Sequence, residues 1–203
     1  MGKKIKQSIL SNIYNYISSI IEIDDNEWSY YSAMFEIKEI KKKDILLMPD
    51  SICKNVYFVN HGLLRIFFLD RNGNEITFYF ALENDLATDL ESFLLETPSH
   101  YCIQALEDTQ VVVWSRYMIQ DGYYHLRYGD RLARIILEKY FVLFSRKLQS
   151  LYTKNPLERY NDMIKRYPTI MQRIPQHYIA SYLNITSVHL SRLKRLNKKI
   201  NKC

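Results

Sequence analysis

Long apolar runs are absent from this chain of 203 residues. Its most apolar stretches, residues 111–114 and 141–144, are soon interrupted by polar side chains, whereas a helix needs about 20 apolar residues to cross a bilayer. A membrane-spanning protein is therefore excluded. The basic N-terminus is not followed by a small-residue cleavage site, so we expect a cytoplasmic protein.

Cysteine is scarce, and several motifs of enzymes are missing. Cys53, Cys102 and Cys203 lack the paired spacing of zinc sites, iron–sulfur clusters or disulfide frameworks, so we expect reduced, unpaired thiols. The sequence has no glycine-rich phosphate loop, nucleophile elbow or pair of catalytic acids. Its histidines lack the close pairing of a cupin-type metal site. We predict no metal, no cofactor and no enzymatic activity.

Positive charge is concentrated at the C-terminal end. Residues 1–154 carry 18 basic and 20 acidic side chains, a net charge of −2, whereas residues 155–203 carry 10 basic and 2 acidic side chains, a net charge of +8. Such a segment can hold a polyanion through phosphate contacts and counterion release. A lysine-rich tail that serves only solubility is the alternative.

Short apolar segments fill the first half of the chain. Isoleucines at helical spacing from Ile5 to Ile21 predict an N-terminal helix, and residues 24–34 predict a second one. Segments rich in β-branched and aromatic residues predict strands at 45–48, 56–61, 63–69, 75–82, 101–106 and 110–115. Asn72-Gly73 predicts a hairpin with a type I′ turn, in which both residues have positive φ. Several evenly spaced strands predict a roll or barrel.

A helical pattern starts near Arg116, and residues 135–144 are too apolar for a helix with one face in water. One stripe, which we call the dimer stripe, has the spacing of a two-stranded coiled coil: Leu137, Phe141, Phe144, Leu148 and Leu151. A second stripe consists of Leu132, Ile136, Tyr140 and Leu143. We predict that the second stripe packs on the strand domain and the dimer stripe on a second subunit. Burial of both within one chain is the alternative.

A new helix is predicted after the long one. Asn155, Pro156 and Glu158 suit the N-cap, the first helical position and the capping-box position. The helix should end at Tyr167, because the residue before Pro168 disfavours the helical conformation.

Residues 175–199 combine the features of a helix-turn-helix. Ile179, Ala180 and Leu183 form the packing face of a first helix, and Asn184 tolerates the left-handed conformation of a tight turn. Thr186 suits the N-cap of a second helix. These coinciding signals favour DNA binding, and an ordinary helical hairpin with a basic solvated face is the alternative.

The predicted DNA contacts are outward residues of the second helix and residues at the start of the first. They are Gln176, His177, Thr186, Ser187, Val188, Ser191, Arg192 and Arg195. Arg192 could make a bidentate contact to guanine in the major groove. We therefore predict a sensor roll with flanking helices at 1–126, a dimerisation helix at 127–153 and a helix-turn-helix DNA-binding domain at 154–203.

This order of parts resembles the cyclic-AMP receptor/fumarate-nitrate regulator (Crp/Fnr) family of bacterial transcription factors over almost the whole chain. The resemblance is carried by residues 57–65, the 70–75 hairpin, 91–93 before 97–99, and 179–183 with 190–192. It implies an α+β fold: an N-terminal antiparallel β-roll like a cyclic-nucleotide-binding domain, a long dimerisation helix and a C-terminal helical helix-turn-helix domain. It also implies a homodimer, double-stranded DNA as partner and a contact with RNA polymerase.

The sequence departs from the family at the effector loop. Cyclic-nucleotide members hold the phosphate with an Arg-Ser pair and a Gly-Glu element, but Ser99-His100 and Thr88-Asp89 occupy the matching positions. These four residues and Glu91 form the candidate effector pocket. The loop lacks a guanidinium and is crowded with acidic residues: Glu83, Asp85, Asp89, Glu91 and Glu96. Because an unneutralised acidic rim repels phosphate, cyclic AMP is a poor candidate and the effector stays unassigned.

Two further departures follow from the sequence. The cysteine cluster of the family's iron–sulfur branch is missing, and residues 167–175 leave little room for the usual β-wing. The favoured interpretation is a homodimeric, sequence-specific DNA-binding transcription regulator that does not respond to cyclic AMP. A small-molecule or metal-dependent, cupin-like β-roll enzyme with a helical dimerisation segment is the alternative.

Overall fold

The computed structural model describes the backbone of residues 8–200 and the side chains of residues 8–195. The helices are α1 (Ser11–Ser18), α2 (Asp25–Ala33), α3 (Leu90–Leu95), α4 (Arg116–His125), α5 (Gly129–Thr153), α6 (Pro156–Arg166), α7 (Ile170–Arg173), α8 (Gln176–Tyr182) and α9 (Ser187–Ile200). The strands are β1 (Glu36–Ile40), β2 (Ile45–Leu47), β3 (Asn55–His61), β4 (Leu64–Leu69), β5 (Glu75–Ala81), β6 (Leu86–Ala87), β7 (Cys102–Ala105) and β8 (Thr109–Ser115). Ile5 and Cys203, which entered the predictions above, lie outside the described residues.

The chain forms two compact units. The roll unit comprises residues 1–66 and 80–139, and the helical unit comprises residues 67–79 and 140–203. The outer part of the β4–β5 hairpin therefore belongs to the helical unit. The division at residues 126 and 153 stays a prediction.

Within residues 8–200, eight strands form two four-stranded sheets, with the orders β1-β8-β3-β6 and β2-β7-β4-β5. Strand β8 pairs antiparallel with both β1 and β3, and Tyr57 lies opposite Val113. The predicted roll, long helix and C-terminal helices are confirmed. Six strands coincide with predicted segments, whereas β1 and β6 were not predicted.

The core of the roll unit is built from fully buried strand residues, which in β3 and β8 occupy consecutive positions. Phe58, Val59 and Val112 are 0% exposed, as are Ile13 and Ile17 of α1. Burying such side chains stabilises the fold by roughly 1.5–3 kcal/mol each. The N-terminal helix is confirmed within the described residues, and its buried face is the predicted isoleucine face.

Gly62 makes the tight connection between β3 and β4. Its φ is +99°, and a Cβ there would lie 2.5 Å from Thr109 Oγ1 and 2.9 Å from the Asp108 carbonyl oxygen. Only glycine fits this conformation without strain. The close approach lets Thr109 Oγ1 accept a hydrogen bond from the Leu63 N–H at 3.1 Å, which links β8 to the start of β4.

The β4–β5 hairpin is confirmed, but its predicted turn type is wrong. Gly73 has a φ of +79°, whereas Asn72 is not among the residues with positive φ. Asp70 sets the turn instead: its carboxylate accepts hydrogen bonds from the Asn72 and Asn74 N–H groups, and its carbonyl accepts from the Gly73 N–H. Side-chain capping by aspartate selects a longer loop with glycine in the left-handed position.

None of the helices in the described part of the chain is long and apolar enough to cross a bilayer.

Candidate nucleic-acid interface and effector loop

The helix-turn-helix is built from α8, a short turn and α9. Asn184 adopts the left-handed conformation with a φ of +53°, and the Ile185 N–H donates to the Ala180 carbonyl at 3.0 Å. Thr186 Oγ1 accepts a hydrogen bond from the His189 N–H at 3.2 Å, which caps the start of α9. The predicted turn residue and the predicted cap are thus confirmed locally.

Apolar side chains fix the angle between the two helices. Ile179 and Ala180 of α8 are buried against α9, in which Leu190 and Leu193 are also buried. Because Ala180 has only a methyl group, the two helices can approach closely. Arg159 of α6 donates to the Leu183 carbonyl at 3.3 Å and satisfies a group at the end of α8.

Helix α6 begins and ends as predicted. The Asn155 side chain accepts hydrogen bonds from the Leu157 and Glu158 N–H groups, and Glu158 accepts one from the Asn155 N–H. The helix ends at Arg166, with Tyr167 as its C-cap. In the segment that follows, the described structure has the single-turn helix α7 rather than a β-wing.

The face of α9 that points away from this packing is open to solvent. Among the predicted DNA contacts, Ser191 is half-buried and the others are exposed: Gln176, His177, Thr186, Ser187, Val188, Arg192 and Arg195. Val188 is 64% exposed, which is unusual for an apolar residue on a packed helix. His189, in the first turn of α9, is exposed as well and was not among the predicted contacts. The assignment of these residues to DNA contact stays a prediction.

The candidate effector pocket is only partly assembled. Asp89 and Ser99 are joined by a hydrogen bond between the end of β6 and the start of β7, whereas the side chains of Glu91 and His100 are exposed to solvent. Thr88 Oγ1 donates to the Asn55 carbonyl at 3.1 Å. The side chains of Thr88, Asp89 and Ser99 are therefore directed at the protein itself.

Asp89 is the centre of that arrangement. It is only 5% exposed, and one carboxylate oxygen accepts a 2.7 Å hydrogen bond from the Ser99 hydroxyl. The other oxygen accepts from the Ser92 N–H at 3.4 Å and caps α3. The N-terminus of a helix stabilises a negative group, so an anionic ligand would be stabilised at this place. Here a side chain of the protein occupies that place.

Replacing Asp89 with alanine is expected to lower the free energy of unfolding by about 1–3 kcal/mol, because the α3 cap is lost and the buried Ser99 hydroxyl loses the nearer of its two acceptors. Urea unfolding measures this change. Glu91→Ala, which removes an exposed carboxylate two residues away, is the matched control and should change stability by less than about 0.5 kcal/mol. Equal effects of the two variants would contradict the role assigned to Asp89.

Arg116 was missed by the sequence reasoning, which saw no guanidinium in the loop. Its guanidinium, carried by α4, lies 2.5 Å from the Glu96 carboxylate and donates to the Cys53 carbonyl at 3.3 Å. It also stacks on Phe93 at 5.0 Å from the ring centroid. Arg116 directly follows β8, and nothing in the local sequence signals that it reaches α3.

The prediction that the acidic residues of this loop are unneutralised is therefore wrong in part. Glu96 is paired with Arg116, and Glu83 accepts a hydrogen bond from the Gly62 N–H at 3.0 Å. Asp89 is engaged with Ser99. The acidic side chains hold separate parts of the roll together, and of the predicted pocket residues only Glu91 presents an exposed carboxylate.

The dimer stripe lies largely on the surface of the single chain. The exposed fractions of Leu137, Phe141, Leu148 and Leu151 are 38%, 73%, 58% and 37%. Phe144 differs from the prediction, since its ring packs 4.9 Å from the Phe78 ring and is half-buried. In the second stripe, Leu132 and Tyr140 are buried, while Ile136 and Leu143 are half-buried.

Metal-binding groups of three or more His, Cys, Asp or Glu residues do not occur within residues 8–195. Cys53 and Cys102 are free and buried.

Comparison with known proteins agrees with this architecture. Residues 37–121 match the model of the cyclic nucleotide-binding domain. FixK2 from Bradyrhizobium japonicum superposes with a TM-score of 0.68 at 20% identity, covering 82% of this chain and 86% of FixK2. A protein from Eubacterium rectale assigned to the Crp/Fnr family superposes with a TM-score of 0.67 at 16% identity, covering 91% of this chain and 88% of that one. The chain has the Crp/Fnr fold. A CooA mutant from Carboxydothermus hydrogenoformans superposes with a TM-score of 0.66 at 19% identity, and the match covers 87% of this chain and 82% of the CooA chain.

The Crp/Fnr resemblance drawn from the motifs is thereby confirmed, and the matched domain runs from β1 into α4. The Crp/Fnr family to which the Eubacterium rectale protein is assigned is one of transcriptional regulators. No curated protein sequence matches the chain significantly.

Proposed function

We propose that this protein is a homodimeric, sequence-specific DNA-binding transcription regulator. The observation that carries the proposal is the exposed face of α9, where Arg192 and Arg195 stand clear of the packed side of a correctly capped helix-turn-helix. The surrounding segment has the net charge of +8 described above. A helix of this kind enters the major groove with its N-terminal residues towards the bases.

The exposed dimer stripe supports the proposed homodimer. Leucine and phenylalanine at coiled-coil spacing, left in solvent by a single chain, are covered when two copies of α5 lie side by side. Two recognition helices related by a two-fold axis would then read half-sites about 34 Å apart. A palindromic operator follows from that symmetry.

The roll is proposed to act without cyclic AMP. The support is the buried Asp89 carboxylate, which would lie close to any phosphate bound at the start of α3 and would repel it. The effector, if one binds, is unassigned. A cytoplasmic location and a contact with RNA polymerase belong to the same proposal. No feature of the described residues supports the alternative hypothesis of a cupin-like enzyme.

Selection of bound fragments from random DNA tests the proposal most directly. We expect a palindromic consensus, unaltered by cyclic AMP, whose affinity falls steeply with salt because each neutralised phosphate contributes a slope of about −0.9 in the double-logarithmic plot. Recovery of unrelated fragments with a shallow salt dependence would refute sequence-specific binding.

A further inference from the structure

Helix α8 is fixed on the outer edge of β5 by a single serine. Because β5 ends the order β2-β7-β4-β5, one of its edges has backbone groups that the sheet does not use. The Thr77 N–H donates to Ser181 Oγ at 2.8 Å, and that hydroxyl donates to the Glu75 carbonyl at 2.7 Å. The cover that Ser181 gives to β5 also fixes the next residue of α8, Tyr182.

Lys147 of α5 is a half-buried cation beside Tyr182. Its ammonium donates to the Phe78 carbonyl oxygen and lies 5.1 Å from the centroid of the Phe78 ring. The centroid of the Tyr182 ring lies 4.0 Å from the same ammonium. A carbonyl oxygen and the negative faces of two rings favour the charged form of the amine. These contacts hold the ammonium in place, but none of them brings a negative charge to it.

A second cation, Arg166 at the end of α6, lies close to the first. Its guanidinium donates to the Tyr79 hydroxyl at 3.1 Å and lies 5.1 Å from the centroid of the Tyr167 ring. The Tyr167 and Tyr182 rings meet edge to face, with their centroids 6.1 Å apart. A row of aromatic rings therefore joins Arg166 to Lys147. Arg166 is also the charged group that acts electrostatically on Lys147.

Neither cation is paired with a carboxylate of residues 8–195, and the groups that act on Arg166 are the neighbouring tyrosines. Residues 155–203 contain two acidic side chains, and both are engaged elsewhere. Glu158 caps the start of α6, and Asp162 pairs with Lys154 at 2.6 Å. Two cations that the fold holds together without an anion repel each other, and an anion between them would relieve that repulsion.

We propose that Lys147 and Arg166 form a binding site for a small anion that carries a phosphate group. Arg166 is exposed and Lys147 is half-buried, so such an anion can reach the pair from solvent. The guanidinium has more N–H donors than the hydroxyls of Tyr79 and Tyr167 use. A phosphate group fits this pair because it offers several acceptor oxygens and nearly two negative charges at neutral pH.

The site belongs to the helical unit and uses none of the residues of the candidate effector pocket in the roll. A bound anion would join α5 to α6 and would fix the aromatic row that ends at Tyr182 of α8. Because the anion binds the folded unit, it would stabilise that unit. Helix α8 is the first helix of the DNA-reading motif, so occupancy of the site would make the motif firmer. This regulation goes beyond the proposed DNA binding.

Titration of the full chain with inorganic phosphate, at constant ionic strength in chloride, measures the affinity by calorimetry. Lys147→Met keeps the aliphatic packing, and Arg166→Gln keeps a hydrogen-bond donor. Each variant should bind phosphate at least about tenfold more weakly, since a charge-assisted hydrogen bond is lost. Lys139→Met on α5 and Lys165→Gln on α6 are the matched controls. Both replace exposed lysines of the same helices and should bind like the natural protein.

Thermal unfolding of the natural protein gives a second readout that needs no substitution. Phosphate should raise the unfolding temperature above the value in chloride of equal ionic strength, because the ligand binds only the folded chain. Adenosine monophosphate identifies the source of the phosphate group. Tighter binding than that of inorganic phosphate would assign the site to a nucleotide, and weaker or equal binding would assign it to the free ion.

The proposal is wrong if phosphate neither binds nor stabilises the natural protein. It is equally wrong if Lys147→Met and Arg166→Gln bind phosphate as tightly as the two controls do. None of these measurements involves DNA, so their failure is separate from failure of the proposed function.

Discussion

A chain carrying both Phe141→Glu and Leu148→Glu is expected to be monomeric and to bind its operator at least about 100-fold more weakly, because a dimer gains that much or more from joining two half-site contacts. Both side chains lie on the dimer stripe, with 73% and 58% of their surface exposed in the single chain. Since neither is buried within one chain, the substitutions should leave the fold intact. In a dimer they would place four carboxylates in one apolar seam.

Sedimentation velocity and gel-shift titration measure the two consequences. The matched control is Val142→Glu with Gln149→Glu, which adds the same charges to exposed positions of α5 just beside the stripe. The control should remain dimeric. If the stripe variant also stays dimeric, the subunits associate through another surface.

Arg192→Ala is expected to weaken operator binding by about 1–3 kcal/mol and to blur the consensus at one base position, since a bidentate guanidinium–guanine contact carries sequence information. Arg192 is exposed on α9, six residues beyond the Thr186 cap. The substitution removes no packing from the core, so thermal unfolding should be unchanged. Competition between operator and single-base variants measures the loss of discrimination.

Substitutions of two other arginines distinguish the loss of sequence specificity from the loss of a positive charge. Arg195→Ala should weaken binding to all sequences alike and reduce the salt slope by about 0.9, as expected for a phosphate contact. Arg134→Ala, which breaks an exposed pair with Glu138 on α5, should leave binding unchanged. Undiminished discrimination in Arg192→Ala would move the base-reading role to another residue of α9.

The helix-turn-helix could be predicted from the sequence because its signals are local. The hydrogen bonds of the turn at Asn184, of the Thr186 cap and of the Asn155–Glu158 capping box join residues that are three to five positions apart. The turn conformation, the cap and the ends of α6 followed from those residue types. Most strands were predicted for a similar reason, because they are short runs of apolar and β-branched residues that are separated by turn residues.

Features that depend on distant parts of the chain could not be predicted. Phe144 has the spacing of the dimer stripe, but it packs on Phe78, which is far from it in sequence. Arg116 reaches Glu96 and Cys53 only because the roll brings α3 and α4 together. Strand β1 was missed because three of its five residues are charged and none is buried, so its sequence lacks the apolar pattern of a strand although it pairs with β8.

The cover that Ser181 gives to β5 limits how the protein can be divided for study. A fragment ending at residue 126 would keep all eight strands but would lose Ser181, Lys147 and the aromatic neighbours of Phe78. The Thr77 N–H and the Glu75 carbonyl would then face water beside a hydrophobic ring. Such an edge recruits strands from other molecules. The fragment of residues 1–126 should therefore self-associate by sheet extension, and study of the roll in solution needs the chain through the end of α9.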